Sequence, residues 1–206
     1  MNVLDRSIEI AQSRYRGHHL SSHFQPIIAV AHMRAAGAEA LLRAEDLNAQ
    51  LIGPRDMFIK AGMFGESVAL DQAAHETHLT NFHEFKNESR WLFLNTRPEM
   101  LMPENNGRSL IESMVARFGY RPSQIVISIA EHADFGNERL LASLADHQAK
   151  GFLIAIDNFG IGSSNFDRIL GVRPDFVKLN RSLVHRAALS RNDCRVVKML
   201  VAMLHR

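Results

Sequence analysis

The chain of 206 residues has a single cysteine, no strong excess of either charge and no long apolar run, and each shortage closes off a class of protein. A lone Cys194 excludes an intrachain disulfide framework and a four-cysteine zinc site, and it suits a reducing compartment. Lysine and arginine total 24 against 22 acids, a formal charge of +2, far from the basic footprint of a protein that neutralises many phosphates of DNA or RNA. No apolar stretch approaches the roughly 20 residues that cross a bilayer. The first turns carry Asp5, Arg6 and Glu9 where a signal peptide would be apolar. These features read as a cytoplasmic protein without a membrane span, or as the soluble part of something larger.

The 46% apolar content supports one well-buried core at this length, hence a single domain. Short β-rich runs are expected at Phe24–Val30, Ala38–Arg43, Trp91–Asn95, Ile125–Ile129, Phe152–Ile156 and Phe176–Leu179. Helical spacing fills Ser67–Phe85, Arg108–Phe118, Glu138–Lys150 and Asn192–Leu204, with Pro54 placed to start a helix and Gly119 and Gly151 just past helix ends. The alternation is that of an α/β fold, and runs such as Trp-Leu-Phe-Leu are apolar enough for parallel strands covered on both faces. A barrel and a doubly wound sheet both fit. Residues 1–21 are expected as an N-terminal helix and lead-in, and residues 22–206 as the domain proper.

Asn95, Glu131 and Asp157 fall at or just past the carboxyl ends of expected strands, while Glu39 and Lys178 fall within strands. Parallel α/β barrels carry their sites at that end. Oxygen donors from separate strands suit a hard divalent cation, although acids at strand ends also serve as helix caps and surface groups. The glycines and serines of Phe159-Gly160-Ile161-Gly162-Ser163-Ser164 could present backbone N–H groups to a phosphate or form a simple capped turn. Among eleven histidines, His75 with His78, and His18, His19 and His23, meet no cysteine or carboxylate pattern that would complete a zinc site.

Phe24-Gln25-Pro26-Ile27-Ile28 followed by Glu39-Ala40-Leu41-Leu42-Arg43 resembles the opening of EAL domains. Further matches come in family order. They run through Ile52-Gly53-Pro54, Leu94-Asn95, Glu131, the Ile156-Asp157-Asn158-Phe159-Gly160 run, and Pro174-Asp175-Phe176-Val177-Lys178-Leu179-Asn180-Arg181-Ser182. The resemblance implies a TIM-like (β/α) barrel that binds cyclic di-GMP and, when intact, hydrolyses it to linear pGpG with Mg2+ or Mn2+. It implies that Glu39, Asn95, Glu131 and Asp157 are ligands of a first cation and that Asn158 stands at the second. Lys178 matches the lysine near the attacking water, and Gln25 and Arg43 stand where substrate is contacted. A homodimer is implied as well.

The sequence departs from the family pattern in three places. Asn158 stands where a second aspartate would reach the second cation, and Asn180 ends a strand that elsewhere ends in aspartate. Ser128 and Ala130 replace the first glutamate and the threonine before Glu131, thinning its support. The chain also ends at Arg206, inside the helix expected before the next strand, so a late glutamate, a glutamine and the last two strands are expected to be missing. That implies a fragment, or a gap covered by a second chain or by rearranged helices. Three functions are open on this sequence: a degenerate cyclic di-GMP-binding or regulatory domain, a phosphodiesterase of reduced activity, and a protein-interaction scaffold.

Overall fold

A computed structural model of the chain describes residues 13–83, 91–104, 107–130, 133, 138–160 and 171–204. It forms two compact units, Met1–Ile125 and Val126–Arg206.

The first unit opens on a hairpin of β1 (Ser13–Tyr15) and β2 (His18–Ala29). Arg16 and Gly17 both take positive φ, 46° and 78°, as the two central positions of a primed hairpin turn require. Residues 13–21, the end of the expected N-terminal helix and lead-in, are strand and turn, because this turn feeds both flanking segments into one ladder; residues 1–12 lie outside the described residues. β2 pairs antiparallel with β3 (Arg34–Glu45), which also pairs with β4 (Leu51–Ile52) and runs parallel to β5 (Trp91–Asn95).

Helices α1 (Pro54–Met63) and α2 (Ser67–His83) cover one face of this sheet. Pro54 sits in the first turn of α1, where its missing N–H costs nothing. Leu20, Leu42 and Ala44 pack there against Met57, Ala61, Leu70 and Ala74. Leu110–Arg117 forms α3, and Gly119 follows it at φ 75°, as expected past a helix end.

The second unit has three strands in parallel pairs: β6 (Ile125–Ala130) beside β7 (Leu153–Phe159), and β7 beside β8 (Phe176–Leu179). α4 (Glu138–Ala149) connects β6 to β7, and Gly151 follows it at φ 95°. Two helices, α5 (Arg181–Leu189) and α6 (Arg191–Leu204), pack on each other after β8. Cys194 lies half-buried within α6, the setting expected of a small apolar helix residue.

Two features of the first unit are open to test. Gly37 stands opposite Trp91, and a Cβ there would lie 2.4 Å from the Trp91 carbonyl oxygen. Gly37→Ala is expected to cost about 2 kcal/mol of stability, read as a lower urea midpoint, by forcing β3 and β5 apart. Burial first, and then the neighbouring His75, push the His78 imidazole down to about 3. The unfolded chain takes up that proton near pH 6.5 and the folded chain does not, so stability falls as pH drops from 6.5 toward 3, by at most about 1.4 kcal/mol per unit. Buried Asp71, whose carboxyl burial raises, acts in the opposite sense, so comparison with His78→Gln isolates the histidine. Urea titrations between pH 7 and 5 should show a shallower loss in that variant; an equal slope would mean the ring protonates freely in the fold.

Candidate functional site

Period-two alternation along β3 sends Ala40, Leu42 and Ala44 to the helix-covered face and leaves Glu39, Leu41 and Arg43 on the other. Gln25 of β2 lies directly opposite Glu39, and Ser21 opposite Arg43. Glu39 is also opposite Phe93, so Asn95, two residues further along β5, shares its face. The Asn95 side chain uses this placement: Nδ2 donates to Glu39 Oε1 at 3.0 Å. Gln25, Glu39, Arg43 and Asn95 thus share one sheet face. The Arg43 guanidinium donates to the Leu42 carbonyl at 2.8 Å.

In the second unit the β7–β8 ladder shifts register between Ile156 and Phe159, so Asp157 and Asn158 together stand against Lys178. This bulge puts Asn158 at φ 60°, a left-handed conformation that asparagine tolerates better than most residues. Lys178 Nζ lies 3.0 Å from Asp157 Oδ1, and Asn158 Nδ2 donates to Asp157 Oδ2 at 3.1 Å. Asn180 Nδ2 in turn donates to Asn158 Oδ1 at 3.3 Å. The Asn180 oxygen caps α5, accepting from the Ser182 backbone N–H at 2.8 Å and from its hydroxyl at 2.6 Å.

Both oxygens of Asp157 are therefore satisfied by protein donors, and the two asparagines turn toward each other. Asn158, expected at a second cation, gives its N–H to Asp157 and its oxygen to Asn180. Glu39 and Asn95 in the first unit, and Asp157 in the second, offer the oxygen donors that a hard divalent cation takes, and in each unit an amide hydrogen bond occupies one carboxylate oxygen. Glu131 and the Ile161–Ser164 part of the glycine-serine run lie outside the described residues. Ser128 is buried, and its hydroxyl has no hydrogen-bond partner among the described residues.

His75 and His78 are core residues, whereas His18 and His19 are partly exposed and His23 is exposed. His75 Nδ1 donates to the Asp71 carbonyl at 2.6 Å, and Nε2 meets the Thr96 hydroxyl at 3.2 Å. His78 Nδ1 lies 2.7 Å from Ser22 Oγ.

A family model described as EAL domain matches residues 8–206. YkuI of Bacillus subtilis, an uncharacterized EAL-domain containing protein, is 31% identical over 163 residues, 77% of this chain and 39% of that protein. Its solved structure, in complex with substrate c-di-GMP and calcium, aligns at a TM-score of 0.65 and 25% identity over 84% of this chain and 47% of that one. The manganese and c-di-GMP complex of BlrP1 from Klebsiella pneumoniae aligns at a TM-score of 0.77 and 20% identity, over 95% of this chain and 49% of that one. The chain spans less than half the length of each. Its α/β fold is that of these domains, the TIM-like type expected from the sequence.

The cap at Asn180 makes a prediction. Asn180→Ala should lose about 1 kcal/mol in urea unfolding, and Asn180→Asp should lose almost nothing, because aspartate caps as well as asparagine. Equal losses in the two variants would mean the oxygen does not cap α5.

Proposed function

We propose that this chain, which belongs to the EAL domain family, binds cyclic di-GMP as a signalling domain whose capacity for hydrolysis is impaired. The observation that carries the reading is the Asp157 carboxylate, contacted by Lys178 at one oxygen and by the Asn158 amide at the other. Hydrolysis by paired cations calls for negative charge gathered beside both ions. Here the residue next to Asp157 supplies an N–H instead of a second carboxylate.

Mg2+ or Mn2+, when bound, supplies a Lewis acid and an activated water. Gln25 and Arg43 contact the nucleotide, and Lys178 balances charge at Asp157. The same reading takes the protein to be a cytoplasmic homodimer. Among the described residues no helix is long and apolar enough to cross a membrane.

A second reading, a slow phosphodiesterase, is favoured by the retention of Glu39, Asn95, Asp157 and Lys178, with Lys178 in contact with Asp157. Calorimetric titration with cyclic di-GMP in the presence of Mn2+, paired with ion-exchange separation of products, tells the two apart. Saturable binding with little pGpG is expected. Steady turnover to pGpG would replace the first reading with the second, and absence of any saturable heat would leave only a scaffold.

Restoring a carboxylate by Asn158→Asp should raise whatever turnover exists more than Asn180→Asp does. The oxygen at 180 is committed to the α5 cap, whereas the side chain at 158 adjoins Asp157. Equal gains from the two variants would misplace the second cation.

A further inference from the structure

We infer that Asp71 and His75, on the buried side of α2, are positioning residues that aim Asn95 at Glu39. The inference rests on the reading of Glu39 and Asn95 as cation ligands, but the geometry behind it does not depend on the ion. The β3–β5 ladder ends at the pair Ala40 and Leu94, so toward β3 Asn95 lies one residue beyond the last paired position. On that side its place is set by its two successors in the chain, Thr96 and Arg97.

Both of these residues are held from α2. The Arg97 backbone N–H donates to Asp71 Oδ2 at 3.0 Å. The Thr96 hydroxyl lies 3.2 Å from His75 Nε2 and 2.9 Å from the Leu94 carbonyl, with one proton to share between these two acceptors, while His75 is itself fixed by its Nδ1–H to the Asp71 carbonyl at 2.6 Å. Asp71, His75 and Thr96 are 2%, 1% and 6% exposed, so water cannot replace a lost partner.

Close packing does not substitute for these bonds either. A cavity of about 140 Å3 lies at this place, lined by Leu41, Asp71, His75, His78 and Asn95 among others. With open volume on that flank, hydrogen bonds to Thr96 and Arg97 decide where the end of β5 sits. The exposed Asn95 amide is then presented to Glu39 by a helix on the far side of the sheet.

The test compares Thr96→Val, which keeps the shape and loses the hydroxyl, with Thr96→Ser, which keeps the hydroxyl. It also compares Asp71→Ala with Asp71→Asn, whose oxygen can still accept from Arg97. In the metal-free chain the side-chain amide signals of Asn95 are followed by NMR, alongside thermal melts. The valine and alanine variants should move these signals toward the position of a free, solvated asparagine, and the serine and asparagine variants should keep them at the wild-type position.

Mn2+ affinity should fall roughly tenfold in the valine and alanine variants and return in the other two. Should Asp71→Ala fail to fold, the threonine pair carries the comparison. Asn95 signals unmoved in Thr96→Val would overturn the positioning role. Unchanged Mn2+ affinity in Glu39→Ala would instead overturn the cation reading and leave the amide comparison standing.

Discussion

The close approach of β3 and β5 at Gly37 and Trp91 sets the register that brings Glu39 and Asn95 to one face of the sheet. No side chain fits at position 37, so the two backbones run in tight parallel register from Gly37 to Ala40 and from Trp91 to Leu94. Alternation does the rest. Ala40, Leu42 and Ala44 go to the helices, and Glu39 and Arg43 to the opposite face beside Gln25 and Asn95. A slip of one residue would turn the carboxylate of Glu39 into the apolar core and Leu42 out of it, which makes the register self-enforcing. The placement of the oxygen donors is thus a by-product of packing on the other side of the sheet.

The second unit solves a different electrostatic problem. Two adjacent carboxylates in a partly buried bulge repel each other unless a cation lies between them. With Asn158 beside Asp157 the repulsion becomes a hydrogen bond, and Lys178 neutralises the remaining charge. A cation arriving at Asp157 has to compete with both of these contacts.

Legibility from sequence divides along the same lines. The strands at Trp91–Asn95, Ile125–Ala130 and Phe176–Leu179 could be read because parallel strands covered on both faces need nearly continuous apolar runs. β1 was not legible: three residues, Ser13–Tyr15, owe their strand state to the Arg16-Gly17 turn and to pairing with β2. The helix α5 was missed because Asn180 draws attention as an absent acid, whereas its oxygen starts a helix. Glu39 and Asn95 could be grouped by motif, and they do touch. The bulge at Asp157 and Asn158 left no trace in the residue pattern, since an asparagine in a left-handed conformation looks like any other asparagine.

The helix α2 was legible by its spacing, but the work of its buried side was not. Asp71, His75, Thr77, His78 and Asn81 are all buried there beside Leu70, Ala74 and Leu79, so much of its core face is polar. An apolar face tolerates sliding, because one methyl group replaces another at small cost. A polar buried face does not: Asp71 meets one N–H, His75 one carbonyl and one hydroxyl, and His78 the hydroxyl of Ser22, and any shift leaves these groups unpaired where water cannot reach them. The helix is therefore locked to β2 and to the end of β5 in a single arrangement. That is how a solvent-facing amide at a strand terminus, one residue past the β3–β5 ladder, comes to be held within hydrogen-bonding distance of the carboxylate on the neighbouring strand.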